Sequence, residues 1–415
     1  MSRRIRATTF AIFLLVTVVT GGVCLGAEPK KKIPPVPLPL LPVVPGWTAT
    51  LEDVPSAGGA MDDERVYIPI EPEQIVALSR SNGAKLWTRD IESMWPPVVI
   101  DNTVVVAASD EIHALDPATG DTRWRVSYDD RMIAPLMAAH MMIRKDPGAQ
   151  PFPIPVLIAL FDKGMARAFV PRNGHVYWSQ LLGAPTHFAP VSDGVRAFFA
   201  LDDSRVVALR LVDGSRAWEQ KLEGILNQPS FSHDRVFVGS NMNLLYALDN
   251  TNGRLAWRWK TGGDVIGASG DAKSGAYYAS LDNVLRAVNR GNGNQRWIKE
   301  IPTRPLLPPR TFGDGMQYEE IIVLTGVTSE IDAFAAKTGA LAGMYMPPSD
   351  LQGEPLIDPV LKPFQVAMVV ITRNGRVIGL KPSAMLLPEP IATPFTADLP
   401  GRKLERERMT TPSTR

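Results

Sequence analysis

The chain has 415 residues, 45% of them apolar, so it can bury a large core and is not disordered throughout. Lys and Arg number 44 against 43 Asp and Glu, a net charge of +1, and no overall field draws the chain to nucleic acid or an anionic surface. One cysteine excludes an intramolecular disulfide and a thiolate metal site, while 37 prolines, 33 glycines and 9 tryptophans favour short strands and tight turns over long helices.

The amino end reads as an export signal. Arg3, Arg4 and Arg6 precede an apolar stretch over residues 7–19 and small residues up to Ala27, the order of a secretory signal peptide over residues 1–27. Cleavage is expected after Gly26 or Ala27, which also removes Cys24. An uncleaved anchor is the alternative, because residues 7–27 are long enough to cross a bilayer. Val23, directly before Cys24, argues against lipid attachment there. Loss of three arginines and no acids leaves 41 basic and 43 acidic side chains, a net charge of −2 that is ordinary for a periplasmic or secreted protein. Residues 28–46 carry Lys30, Lys31, Lys32 and seven prolines, an extended polyproline spacer able to hold a domain off a surface. Residues 388–415 are polar and lack apolar periodicity, so a disordered tail is expected there, with the folded domain over 47–387.

A repeat fills that domain. It reads IVALSRSNGAKLW (75–87), IHALDPATGDTRW (112–124), VVALRLVDGSRAW (206–218) and LYALDNTNGRLAW (245–257), with looser copies at 165–178, 284–297 and 330–343. Alanines 77, 114, 168, 208, 247, 287 and 333 each stand six residues before glycines 83, 120, 174, 214, 253, 293 and 339. Trp87, Trp124, Trp178, Trp218, Trp257 and Trp297 follow their glycines by four, and Gly343 takes that place in the seventh copy. The glycines are 37, 54, 40, 39, 40 and 46 residues apart, the period of a four-stranded sheet unit. Within a unit, the segment ending near alanine is a strand, the turn pair allows positive φ, and the tryptophan segment returns antiparallel. Two shorter strands precede each such hairpin. A four-stranded meander with two apolar faces must stack on its neighbours, and closing the stack into a ring removes its exposed ends. The sequence therefore predicts an all-β, eight-bladed β-propeller of four-stranded antiparallel blades, with alanine where sheets approach closely and tryptophan in the outer wedge between blades. The eighth blade has inner segments 365–371 and 375–380 but no tryptophan copy, so residues 47–51 are expected to supply its outer strand beside 376–380. Seven blades with an irregular terminal segment is the alternative.

The residues at 114–124 and 247–257 resemble the repeat of the pyrroloquinoline-quinone-like β-propellers, and most closely the non-enzymatic branch typified by the outer-membrane assembly lipoprotein BamB. The resemblance covers about residues 47–386. It implies that the six tryptophans form docking contacts between blades, with Gly343 departing from the pattern. It further implies a non-catalytic cell-envelope scaffold that binds proteins or peptides, in the setting of outer-membrane protein assembly. The alternatives are a quinone-dependent dehydrogenase, with an Asp base and a divalent cation, or a ligand-binding sensory propeller. The mature chain lacks the vicinal cysteine pair typical of quinoprotein alcohol dehydrogenases and has little sequence outside its strands. The expectation is thus no enzyme activity, no cofactor or metal, a monomer, and a periplasmic or secreted location at the outer membrane, with peripheral membrane association through the amino-terminal region.

Two features remain as site candidates. His113, His140, His175, His187 and His233 are scattered and match no close ligand spacing, whereas Glu73, Asp110, Asp202, Asp203 and Asp282 fall near turns between second and third strands, on one face of the ring. The interval between Gly120 and Gly174 exceeds the usual spacing by about one hairpin, and the extra chain lies within residues 139–154. Met141, Met142, Ile143, Phe152 and Ile154 are apolar there while Arg144 and Lys145 are basic, a mixture suited to docking a protein or peptide. Residues 310–320 lengthen the seventh unit between the same two strands and should emerge on the same face.

Overall fold

In the computed structural model, the described residues are 43–146, 148–271, 273–313, 319–358 and 365–382. They form eight four-stranded antiparallel sheets, and their only helical element is a single 3-10 turn at Asp162–Gly164. The segments expected as signal peptide and tail, and the expected spacer up to residue 42, lie outside the described residues. The eight-bladed expectation is met, and blades 1 to 7 each run from inner to outer strand in chain order. Blade 1 is Ala60–Met61, Arg65–Ile70, Gln74–Ser79 and Lys85–Asp90; blade 7 is Arg310–Phe312, Ile321–Thr325, Ile331–Ala335 and Leu341–Tyr345.

Blade 8 closes the ring with both parts of the chain. Leu356–Ile357, Met368–Ile371 and Arg376–Pro382 are its inner strands, and Val43–Thr50 is the outer one, pairing antiparallel with Arg376–Pro382. The pairing expected between residues 47–51 and 376–380 is present, with Trp47 opposite Gly379 and Thr50 opposite Arg376. The strand starts at Val43, so its first four residues belong to the segment expected to be spacer. Pro45 is tolerated because this is an edge strand, and the register shifts between Pro45 and Trp47.

The repeat acquires a physical meaning in the registers. Ala77 lies opposite Trp87, and the same alanine–tryptophan pairing recurs through Ala287 with Trp297. Each indole then reaches out of its own blade. The Trp218 N–H donates to the Asn250 carbonyl of the next blade at 2.8 Å, three residues before the turn glycine Gly253. A Cβ on Gly253, which has φ +72°, would stand 2.5 Å from the Trp218 ring, so only glycine lets the turn lie flat on the indole. Trp47, Trp87, Trp124, Trp178, Trp257 and Trp297 make the same donation to Arg80, Pro117, Pro171, Leu211, Arg290 and Ala336.

Gly343 takes the place of the indole in blade 7, opposite Ala333. In blade 8 the strands Arg376–Pro382 and Val43–Thr50 come from distant parts of the chain, so no hairpin turn joins them to receive an indole from blade 7. Eight apolar clusters fill the eight junctions between blades, and the one between blades 7 and 8, around Val323, Ala333, Val370 and Leu380, contains no tryptophan.

Candidate functional site

Blade 3 projects the lengthened hairpin. Its inner strands, Met137–Ile143 and Phe152–Phe161, pair continuously from Met137 with Ile158 to Ile143 with Phe152. Strand alternation puts Met141, Ile143, Ile154 and Phe152 on one face of the hairpin and Met142 on the other, with Phe152 left exposed at the first position of its strand. Met141 is buried in the core between blades 3 and 4, and Ile143 and Ile154 pack against that core, so these three are structural. Met142 and Phe152 are exposed, and Arg144 and Lys145 stand exposed beyond the end of the strand. The hairpin is anchored sideways: the Met142 N–H donates to the Gly194 carbonyl of blade 4 at 2.7 Å, and His140 Nε2 lies 3.0 Å from Asp101 Oδ1 of blade 2. Exposed Val195 follows Gly194, so Met142 and Val195 stand near each other on the face carrying the loops between first and second strands, and Phe152 is exposed separately at the start of its strand. The lengthened segment of blade 7 opens on the same face; of it, residues 314–318 lie outside the described residues.

The opposite face carries the acids of the turns between second and third strands, and cations answer several of them. Asp203 receives a 2.7 Å hydrogen bond from Arg205 Nε, Asp202 lies 3.0 Å from His187 Nδ1, and Asp282 faces Arg286. Burial works against ionisation of Asp282, but hydrogen bonds from Ser280 and Arg286 hold its carboxyl below the ordinary range. His113 pairs with Glu111 in blade 2. Among the described residues, no group of three or more His, Cys, Asp or Glu is placed to hold a metal ion.

Two further sites escaped the sequence reading. Between the inner strands of blades 4 to 7 lies a cavity of about 370 Å³, lined by Val191, Gln228, Phe231, Gly267, Arg310 and Phe312 among others. Arg310 donates to Glu354 through Nε at 3.2 Å and Nη2 at 2.8 Å, so its charge is already met. This donor set does not match a polyanionic quinone accompanied by a divalent cation. In blade 7, Asp332 is fully buried and neither carboxylate oxygen has a hydrogen-bond partner. Burial, reinforced by the negative charge of Glu330, pushes its carboxyl up to about 6. The position corresponds to His113 in blade 2, and no motif distinguishes it.

The profile of the family described as outer membrane protein assembly factor BamB matches residues 45–199, 162–306 and 202–382, which together span the whole propeller. The chain belongs to that family. A BamB of Yersinia pestis is 23% identical over 146 residues, 31% of this chain and 37% of that protein. The crystal structure of BamB from Moraxella catarrhalis has the same fold, with a TM-score of 0.62 at 16% identity, covering 82% of this chain and 99% of that one. A protein of Acidithiobacillus ferrooxidans named tetrathionate hydrolase is 24% identical over 289 residues, 61% of this chain and 58% of that protein. The chain thus spans less than two thirds of either curated relative. The match to a hydrolase overturns the expectation that the chain has no enzyme activity. That expectation rested on the missing vicinal cysteine pair, the scarcity of sequence outside the strands and the scattered histidines, while the repeat residues position blades and carry no information about chemistry.

Proposed function

We propose that this BamB-family propeller is an exported cell-envelope protein that binds protein partners through the rim around the blade 3 hairpin, as a monomer acting in outer-membrane protein assembly. The hairpin carries the reading: Met142 and Phe152 are exposed apolar groups on a strand pair fixed to blades 2 and 4, Val195 is exposed in the blade 4 loop whose Gly194 carbonyl receives the Met142 N–H, and Arg144 and Lys145 stand beyond the strand. Such a surface suits a partner segment with an apolar anchor and acidic flanks. A photo-crosslinking residue at position 142 or 152, in cells making the mature protein, is expected to yield one discrete protein adduct. Reversal of Arg144 and Lys145 to Glu should weaken that adduct. Crosslinks no more frequent than those from exposed Val212 of blade 4 would overturn the reading.

The similarity to tetrathionate hydrolase across 289 residues favours a second reading, hydrolysis of a polythionate. Incubation of the purified mature protein with tetrathionate tests it directly: loss of tetrathionate in proportion to protein supports it, and unchanged tetrathionate rejects it.

A further inference from the structure

The residue before each repeat alanine points from the third strand of its blade into the junction with the preceding blade. Where that residue is polar in blades 2 to 6, it has a partner. His113 lies 3.0 Å from Glu111, Arg167 2.5 Å from Asp130 and Arg286 3.3 Å from Asp282, and the Tyr246 hydroxyl donates to the Glu223 carbonyl at 3.3 Å. Blade 7 departs from this pattern. Asp332 is fully buried and neither carboxylate oxygen has a hydrogen-bond partner, while Glu330, two residues back on the same face of the strand, adds a second negative charge. Ile331 and Ala333 pack against blade 8, and Leu324, opposite Asp332, packs against blade 6, so the carboxyl sits between blades 6 and 7. Leu285, Ala287 and Tyr277 stand across that junction, and the Tyr277 hydroxyl is committed to Asp271 at 2.7 Å. Lys299 of blade 6 rests its stem on the Gly339 turn, and the charge of Glu320 acts on Tyr277; the charge acting on Asp332 is that of Glu330.

The same blade lacks an indole on its other side. Blades 1 to 6 each receive a tryptophan from the blade before and give one to the blade after, whereas blade 7 receives Trp297 and has Gly343 where its own would stand. Blade 8 gives Trp47 to blade 1, and Arg80 with Asp358 reinforces that junction. The junction that gives blade 7 its indole is therefore the one that buries two acids. A neutral carboxyl is tolerated there, but an ionised one is a bare charge among apolar groups, and opening the junction to water relieves it. We propose that blade 7 is a pH-controlled opening unit of the ring: ionisation of Asp332 releases its strands from blade 6 while the other blades stay closed. The carboxyl, pushed up to about 6 in the closed ring, returns to 3.8 once hydrated. Closure is thus favoured at low pH and is lost as pH rises through 6, and opening increases about fiftyfold between pH 4 and pH 8.

Hydrogen–deuterium exchange of the protein at pH 4, 6 and 8, corrected for the intrinsic pH dependence of amide exchange, tests this. Amides in 321–325 and 331–335 are expected to lose about fiftyfold of their protection from pH 4 to pH 8, while those in 206–210 of blade 4 and 245–249 of blade 5 keep theirs. Asp332→Asn should abolish the loss. Glu330→Gln removes the like charge but keeps Asp332, so the loss should persist with its midpoint moved to lower pH. Three results would overturn the proposal: blade 7 protection that does not change with pH, a loss shared equally by blades 4 and 5, or an unaltered loss in Asp332→Asn.

Discussion

Trp47 and Arg80 lock the ring shut. The indole N–H of Trp47 donates to the Arg80 carbonyl at 2.7 Å, and the guanidinium of the same arginine hydrogen-bonds the Asp358 carboxylate and, at 2.7 Å, the Val366 carbonyl of blade 8. Strand, turn and inner loop of the closing junction therefore meet at one residue.

Removing the indole should open that junction. Trp47 is 9% exposed, so Trp47→Ala is expected to cost about 3–5 kcal/mol. Urea denaturation of the protein measures this as a lower midpoint. The same substitution at Trp218, 8% exposed at a continuous junction, should cost a similar amount.

The Arg80–Asp358 pair is nearly buried on both sides, at 7% and 5% side-chain exposure. Asp358→Leu strips the buried Arg80 guanidinium of its carboxylate and should cost about 3–5 kcal/mol, whereas adding Arg80→Met to it should recover most of that loss. A double-mutant cycle in urea reads the coupling.

Gly253→Ala tests the flat seat of the indole. Positive φ and a Cβ placed 2.5 Å from Trp218 together predict a loss of about 2–4 kcal/mol. Gly343→Trp should bring no stabilisation in the same denaturation assay, because blade 8 offers its indole no hairpin turn.

Asp332 makes stability depend on pH. Its folded-state carboxyl is raised from 3.8 to about 6, so the folded state holds the proton more tightly than the unfolded chain. The stability tied to that proton is complete below the unfolded value near 4, declines as pH rises through about 6, and is absent above. Asp332→Asn should therefore be close to neutral at pH 4 and stabilising by about 2–3 kcal/mol at pH 8. Thermal melts across that range would show the gap between variant and parent widening with pH.

The architecture was legible because glycine and tryptophan at a fixed offset are demanded by one contact, the indole on the next turn, repeated around the ring. Trp47 was legible only as part of a closing strand, since the chain ends cut its glycine-to-tryptophan spacing and its pairing with Gly379 crosses the whole domain. Gly343 read as an irregularity until the missing hairpin of blade 8 accounted for it. In the lengthened hairpin, composition placed five apolar residues together, but only register separated buried Met141 from exposed Met142. Arg80 and Asp358 stand 278 residues apart and belong to no motif, and Asp332 looks like any strand residue. The similarity to a hydrolase was not legible, because the repeat encodes blade contacts and says nothing of chemistry.

The proposed binding surface depends on closure of the ring, and hydrogen–deuterium exchange at the seam measures closure most directly. Amides in 47–50 and 376–380 are expected to exchange about a thousandfold or more slower than unpaired chain, at rates comparable to the central strands of blades 4 and 5. Exchange of 47–50 at the unprotected rate, with blades 4 and 5 still protected, would show that the amino-terminal strand does not close the eighth blade.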